Sequence, residues 1–211
     1  KKGLSSLWTS LKKLHFPVSE QDIKDGQSRL LQEDLVYFAM ANEWAARKIS
    51  KGSQFSVKTN GWIEEIKKSL PYSLTKDQMD AIESMTQFAA DGHRINALVQ
   101  GDVGCGKSIV AFCLMMTMAE NGYQAAVMAP TLVLARQHYE DLSALAEPFG
   151  VSVVWLGSDL KTSEKKKALA VIKEGKAQLI VGTQSIIGED VEYKNLALTV
   201  TDEEHKFGVD Q

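Results

Sequence analysis

The chain has 211 residues, 44% hydrophobic and 24% charged, the balance of a soluble globular protein. A net charge of −3 is not the footprint of a strongly basic nucleic-acid binder, and no stretch approaches the roughly 20 apolar residues of a membrane span. Two cysteines, Cys105 and Cys113, exclude a disulfide framework and a cysteine metal site, and with no signal-peptide pattern at the N-terminus a reducing cytoplasm fits best.

Residues 1–68 read as helical. Pro17 interrupts a first helix, and Ser19 with Asp22 reads as the start of the next. Leu30, Leu31, Leu35, Phe38, Ala41, Ala45 and Ile49 follow at helical spacing as one packing face. Residues 50–61 are turn-rich, and "WIEEIKKSL" forms a short helix. Beyond residue 74 the pattern changes. A helix, "TKDQMDAIESMTQFAA", precedes an apolar run, "INALVQ", which predicts a strand ending at Gly101. Helix "KSIVAFCLMMTMAEN", strand "QAAVMAP", helix "TLVLARQHYEDLSALAEPF", strand "VSVVWL", helix "SEKKKALAVIKEG" and strands "AQLIVGT" and "LALTVTDEEH" follow. Alternating short apolar runs and helices predict an α/β fold with a parallel, doubly wound sheet. Its ligands belong at the carboxyl ends of the strands, where Gly101, "APT", "GTQ" and "DEEH" would converge. The lysine triplet Lys165 to Lys167 reads as a solvated helix face.

Gly101-Asp102-Val103-Gly104-Cys105-Gly106-Lys107-Ser108 matches G-x-x-x-x-G-K-[ST] at every required position. Glycines let successive backbone N–H groups point at phosphate oxygens, and the helix that follows adds the positive end of its dipole. The pattern assigns Lys107 to the β- and γ-phosphates and the Ser108 hydroxyl to Mg²⁺. Cys105 needs only to be small. A phosphate loop needs a second acid, and "TDEEH" supplies a pair at a strand end. Asp202 is the candidate Mg²⁺ partner, through water, and Glu203 the candidate base or water-orienting residue for attack on the γ-phosphate. Glu204 and His205 are candidates for coupling the nucleotide to a nucleic-acid site.

The spelling Asp-Glu-Glu-His resembles superfamily 2 helicases. "LPYSLTKDQ", "QGDVGCGKS", "MAPTLVLARQHY", "IVGTQSII" and "TDEEHKFGVDQ" resemble, in order and spacing, the RecG helicase family. "LHFPVSEQD" resembles the segment that joins that family's DNA-wedge domain to its motor. The transcription-repair coupling factor motor and the PriA-like helicases share parts of the pattern. The resemblance implies a RecA-like domain, ATP and Mg²⁺ as cofactors, and a motor that remodels branched or forked DNA in recombination and repair. It implies residues 1–68 as the wedge-to-motor connector and 69–211 as most of the first motor domain. The chain, which lacks an initiating methionine and stops at "GVDQ", reads as an excerpt of a longer protein.

Carried over by motif, Gln78 resembles the adenine-reading glutamine, with Tyr72 near or beneath the base. Pro130, Thr131 and Arg136 resemble one DNA-backbone contact, Gly182 and Thr183 a second. The same positions also suit an exposed helix glutamine, an exposed helix arginine and a strand-to-helix turn. Cys105, Ser108 and Glu204-His205-Lys206 depart from the usual family spelling, Lys206 replacing an arginine fork. The expected partners are DNA, a second RecA-like domain and the wedge domain, with no membrane. The second motor domain supplies arginines worth roughly 10³–10⁵ in rate in related phosphoryl-transfer systems, so this excerpt by itself is expected to bind nucleotide with little turnover. A kinase or GTPase reading lacks the Asn-Lys-x-Asp base motif. A non-catalytic nucleotide-binding module remains the other alternative.

Overall fold

A computed structural model describes residues 6–49, 55–58, 61–102 and 104–203, with the side chains of 45–49 outside the description. The chain divides into two compact units, Lys1–Lys51 and Gly52–Gln211.

The first unit is a helix pair, α1 (Leu7–His15) and α2 (Glu20–Ile49). Ser6 caps α1, its hydroxyl accepting from the Thr9 amide at 3.1 Å. The Ser19 hydroxyl accepts from the Asp22 amide at 3.3 Å, while the Asp22 carboxylate reaches back to the Val18 amide rather than to that of Ser19. Lys13 clamps the two helices with Asp22 at 3.1 Å and Asp25 at 2.9 Å. The apolar stripe of α2 does not pack as its periodicity suggests. Leu31, Leu35 and Phe38 are exposed. The reason is length: α1 has 9 residues against 30 in α2, so at about 1.5 Å per residue it covers less than a third of it. Ala45 and Ile49, and most of the turn-rich loop, lie outside the described side chains and residues.

The second unit holds α3 (Trp62–Ser69), α4 (Lys76–Ala90), α5 (Lys107–Glu120), β1 (Gln124–Met128), α6 (Leu132–Ala146), β2 (Val153–Leu156), α7 (Thr162–Glu174), β3 (Leu179–Gly182) and β4 (Leu196–Thr201). The compact units part at residues 51 and 52 and not at the expected boundary between 68 and 69, because α3 packs with the second unit. Trp62 meets Phe149 at 4.9 Å, its amide donates to Glu120, and Ile66 is fully buried.

The four strands are all parallel, in the order β2-β3-β1-β4. Alternate residues of β1 serve opposite faces. Ala125 and Val127 join the core containing α5 and α6, with Phe112, Met115, Met116 and Leu142. Ala126 and Met128 join the smaller core beneath α7, with Leu156, Ile172 and Ile180. One polar side chain, Gln124, is buried in this sheet. Its Nε2 donates to the Ile172 and Ala177 carbonyls at 2.9 and 2.8 Å, and its Oε1 accepts from the Lys194 and Asn195 amides at 2.9 and 3.1 Å.

The strand expected over "INALVQ" does not form. Residues 93–100 carry no strand pairing, Leu98 is 75% exposed, and the edge of β4 away from β1 has no partner among the described residues. Polar Asn96 and Gln100 punctuate the run, and none of the described residues covers its outward face, residues 96–100 being exposed. A cavity of about 350 Å³, lined by Phe55, His93, Ile95, Met118 and Leu198 among others, separates its start from β4.

Candidate functional site

The phosphate loop leads directly into α5. Gly104 and Gly106 have φ of 81° and 79°, in the left-handed region that favours glycine. The Cys105 amide donates to the Asp102 carbonyl at 3.2 Å, closing the turn. Lys107 folds back over the loop, its ammonium donating to the carbonyls of Gly101 and Asp102, each at 2.9 Å. Ser108 follows in the first turn of α5, half-buried. Val103 lies outside the described residues.

Gln78 sits beside this loop. It belongs to a capping box at the start of α4: its Oε1 accepts from the Thr75 amide at 2.8 Å, and its own amide donates to the Thr75 hydroxyl at 3.3 Å. Its Nε2 donates to the Cys105 carbonyl at 2.8 Å. A Cβ on Gly106 would displace that nitrogen, the far end of a flexible side chain, so the positive φ is the firmer reason for glycine here. Tyr72 is exposed.

Three of the four places expected to converge do so as strand ends, while Gly101 lacks the strand expected before it and stands outside these bonds. The Ala129 amide donates to the Gly182 carbonyl at 3.0 Å, and the Asp202 amide to the Met128 carbonyl at 2.9 Å. Residues 129–131, 182–183 and 202 therefore share one rim, and Asp202 stands one residue beyond β4. His138 of α6 hydrogen-bonds Asp202 through Nε2 and Oδ2 at 2.8 Å. The His138 ring meets Phe112 edge-on at 5.7 Å. Phe112 lies on the helix that the phosphate loop opens, so loop and acid share a packed connection through this histidine. Glu203 has φ 55°, the one non-glycine among the described residues with a positive φ. Such a conformation costs on the order of 1–3 kcal/mol and clusters at functional sites. Glu204 and His205 lie outside the described residues.

At the same rim Thr131 caps α6, its hydroxyl accepting from the Leu134 amide at 3.3 Å. Pro130 precedes it, half-buried. Arg136 is not a free charge. Its guanidinium lies 4.1 Å over the Trp155 ring and pairs with Asp159 at 2.6 Å, while Trp155 Nε1 donates to the same carboxylate at 3.0 Å. The Arg136 hydrogen bond, with that of Trp155, holds Asp159 below its ordinary pKa against a smaller desolvation effect. Gly182 is buried, and Thr183 is half-buried with its hydroxyl 3.4 Å from that of Ser185.

Sequence reading missed His138. Its signal was position: Ala135, His138, Leu142 and Ala146 form the buried stripe of α6, and a histidine among apolar residues on such a stripe needs a partner.

The decisive comparison is with a family. The DEAD/DEAH box helicases match residues 75–211. The chain belongs to the DEAD/DEAH box helicase family. Its resemblance to RecG extends over its whole length. It is 37% identical to the ATP-dependent DNA helicase RecG of Borreliella burgdorferi over 100% of this chain and 31% of that protein. It is 35% identical to the protein of the same name from Bacillus subtilis over 99% of this chain and 31% of the relative. A solved structure of RecG bound to a three-way DNA junction superposes with a TM-score of 0.80 at 33% identity, covering 94% of this chain and 27% of that one. The chain thus spans about three tenths of the relatives it matches. The parallel α/β fold predicted from the alternation, and the RecA-like domain implied by the resemblance, are the fold the chain shares with that structure.

Proposed function

We propose that this chain is the nucleotide-binding part of the first motor domain of an ATP-dependent DNA helicase that remodels branched DNA. The observation that carries the reading is the link from phosphate loop to acid: Lys107 opens α5, Phe112 of α5 packs on His138, and His138 holds Asp202. In this reading Gly101 to Ser108 cradle the phosphates, with Lys107 exchanging its loop carbonyls for phosphate oxygens. Gln78 reads the adenine by releasing its present partners.

The donor set suits Mg²⁺. No group of three or more histidine, cysteine or carboxylate side chains among the described residues forms a cage of its own. That agrees with an ion held by one carboxylate, one hydroxyl and substrate phosphates. Ser108 and Asp202 are the residues that would hold it, Asp202 through water. Bound there, Mg²⁺ would supply charge neutralisation at the phosphates. Glu203 then orients water and takes its proton.

Pro130, Thr131, Gly182 and Thr183 share the rim with Asp202 and are the proposed DNA-backbone contacts. Arg136 contributes only by leaving Asp159. Glu204 and His205 are proposed to couple the two sites. The whole protein would add a second RecA-like domain and a wedge domain, residues 1–68 serving as connector, and would work in the cytoplasm.

The test is ATP hydrolysis by the full-length protein with and without branched DNA. Stimulation is expected, abolished in Lys107→Ala and reduced about 10²–10⁴-fold in Glu203→Gln. Stimulation by RNA alone would assign a different helicase substrate. Nucleotide binding without turnover under any nucleic acid would overturn the motor reading.

A further inference from the structure

We propose that His138 is a positioning residue for the metal-binding carboxylate, fixing Asp202 from the helix behind it. The inference rests on the assignment of Asp202 above and adds to it His138, a residue of the stretch "MAPTLVLARQHY" to which the sequence reading gave no role.

His138 is 6% exposed, buried in the stripe by which α6 packs on the sheet. A buried imidazole needs its nitrogens satisfied, and here Nε2 meets Asp202 Oδ2 at 2.8 Å. With Asp202 as a carboxylate the ring is the donor, so Nε2 carries the hydrogen. The Asp202 main chain is fixed separately by its amide bond to Met128 at 2.9 Å. Backbone and one carboxylate oxygen are therefore both committed, and Oδ1 is the atom left to face a ligand. Phe112 backs the ring from α5 at 5.7 Å, which limits its rotation. A carboxylate on an exposed strand end would otherwise sample several rotamers. Held this way it is presented in one. Partners that orient a metal ligand typically contribute roughly 10–100-fold in metal affinity or activity.

The readout is Mg²⁺ dependence of nucleotide binding, which needs no turnover. A fluorescent, non-hydrolysable ATP analogue is titrated into the full-length protein in EDTA and at increasing Mg²⁺. His138→Phe keeps the ring against Phe112 and removes the hydrogen bond. It is expected to raise the Mg²⁺ midpoint about tenfold while leaving affinity in EDTA unchanged. His138→Gln, which returns an N–H near the Nε2 position, is expected to restore the midpoint. In an Asp202→Asn background His138→Phe should add little, because both changes act on one interaction. An unchanged midpoint in His138→Phe, an equal loss with and without Mg²⁺, or full additivity with Asp202→Asn would each overturn the proposal. Where circular dichroism shows that His138→Phe does not fold, His138→Met takes its place in the same cycle. A wild-type protein that binds the analogue no better than Lys107→Ala, or without Mg²⁺ dependence, would instead sink the nucleotide-site assignment itself.

Discussion

Gln78 and Cys105 are joined across the mouth of the phosphate loop, the glutamine Nε2 donating to the cysteine carbonyl at 2.8 Å. The same side chain closes the capping box of α4 through its Oε1. One residue thus anchors a helix start and a loop, and the two roles are separable. Gln78→Glu keeps the acceptor for the Thr75 amide and loses the donor to Cys105. Thermal unfolding is expected to change by no more than about 0.5–1.5 kcal/mol, the size of the one bond lost to Cys105, while nucleotide affinity falls about tenfold, about 1.4 kcal/mol, because a carboxylate has no N–H to offer the adenine. Gln78→Ala loses both, so melting temperature and affinity drop together. Calorimetry and nucleotide titration on the two variants check this.

Gly182 is constrained by its neighbours, whatever its part in binding DNA. A Cβ there would strike the Leu156 carbonyl and come within 2.7 Å of Ile186 Cγ2. Gly182→Ala is expected to destabilise the fold by about 1–3 kcal/mol, the usual range for overpacking. Urea unfolding measures it. A neutral Gly182→Ala would show that the β2–β3 contact yields more easily than its packing implies.

The two thiols should differ sharply. Cys105 is exposed in the loop, and Cys113 is fully buried on α5. Burial pushes the Cys113 thiol up to about 11, so it stays protonated through the neutral range. Peptide mapping after brief alkylation at pH 8 is expected to find Cys105 modified and Cys113 untouched until denaturant is added. Bound ATP should slow modification of Cys105.

Asp159 supplies a pH dependence with a defined sign. Its folded pKa lies below the ordinary carboxylate value, chiefly through Arg136. Its stabilising contribution is therefore present above the unfolded pKa and fades as pH falls through the folded one. The difference in urea midpoint between wild type and Asp159→Asn should be largest near neutrality and shrink as the solution is acidified below about pH 4. The size will be small, since the pair is partly exposed at 44% and 37% of its side-chain area.

Much of the second unit was legible because hydrophobic patterning and motif chemistry agreed there. The runs at 124–128, 153–156, 179–182 and 196–201 became strands, and the stretches between them became α6 with a short 3₁₀ turn, then α7, then a second 3₁₀ turn. Agreement failed where a segment's fate depends on a neighbour's cover. "INALVQ" has strand composition but no ladder, and the α2 stripe has helical period but a short partner. Periodicity states which face is apolar, not whether anything lies over it. Of the candidate site, the place of the loop at the start of α5 and of Asp202 just beyond a strand was legible from spacing. His138 was not, because its meaning arises only when α6 and β4 meet 64 residues apart in sequence.

Gln124 has a consequence for all of these positions. Its four backbone partners come from the end of α7, the approach to β3 and the approach to β4. A one-residue slip of β1 against either neighbour would break bonds on both sides at once and strand polar groups in an apolar layer. The amide acts as an index pin, setting the phase of three strands at their amino ends. Against β3 that phase runs on to the opposite ends, and against β4 it does so after a one-residue shift between Gln124, opposite Leu196, and Ala125, opposite Leu198; there residues 129–131, 182–183 and 202 must arrive level to meet the same ligands. Alignment of the rim is thus determined a strand's length away from it.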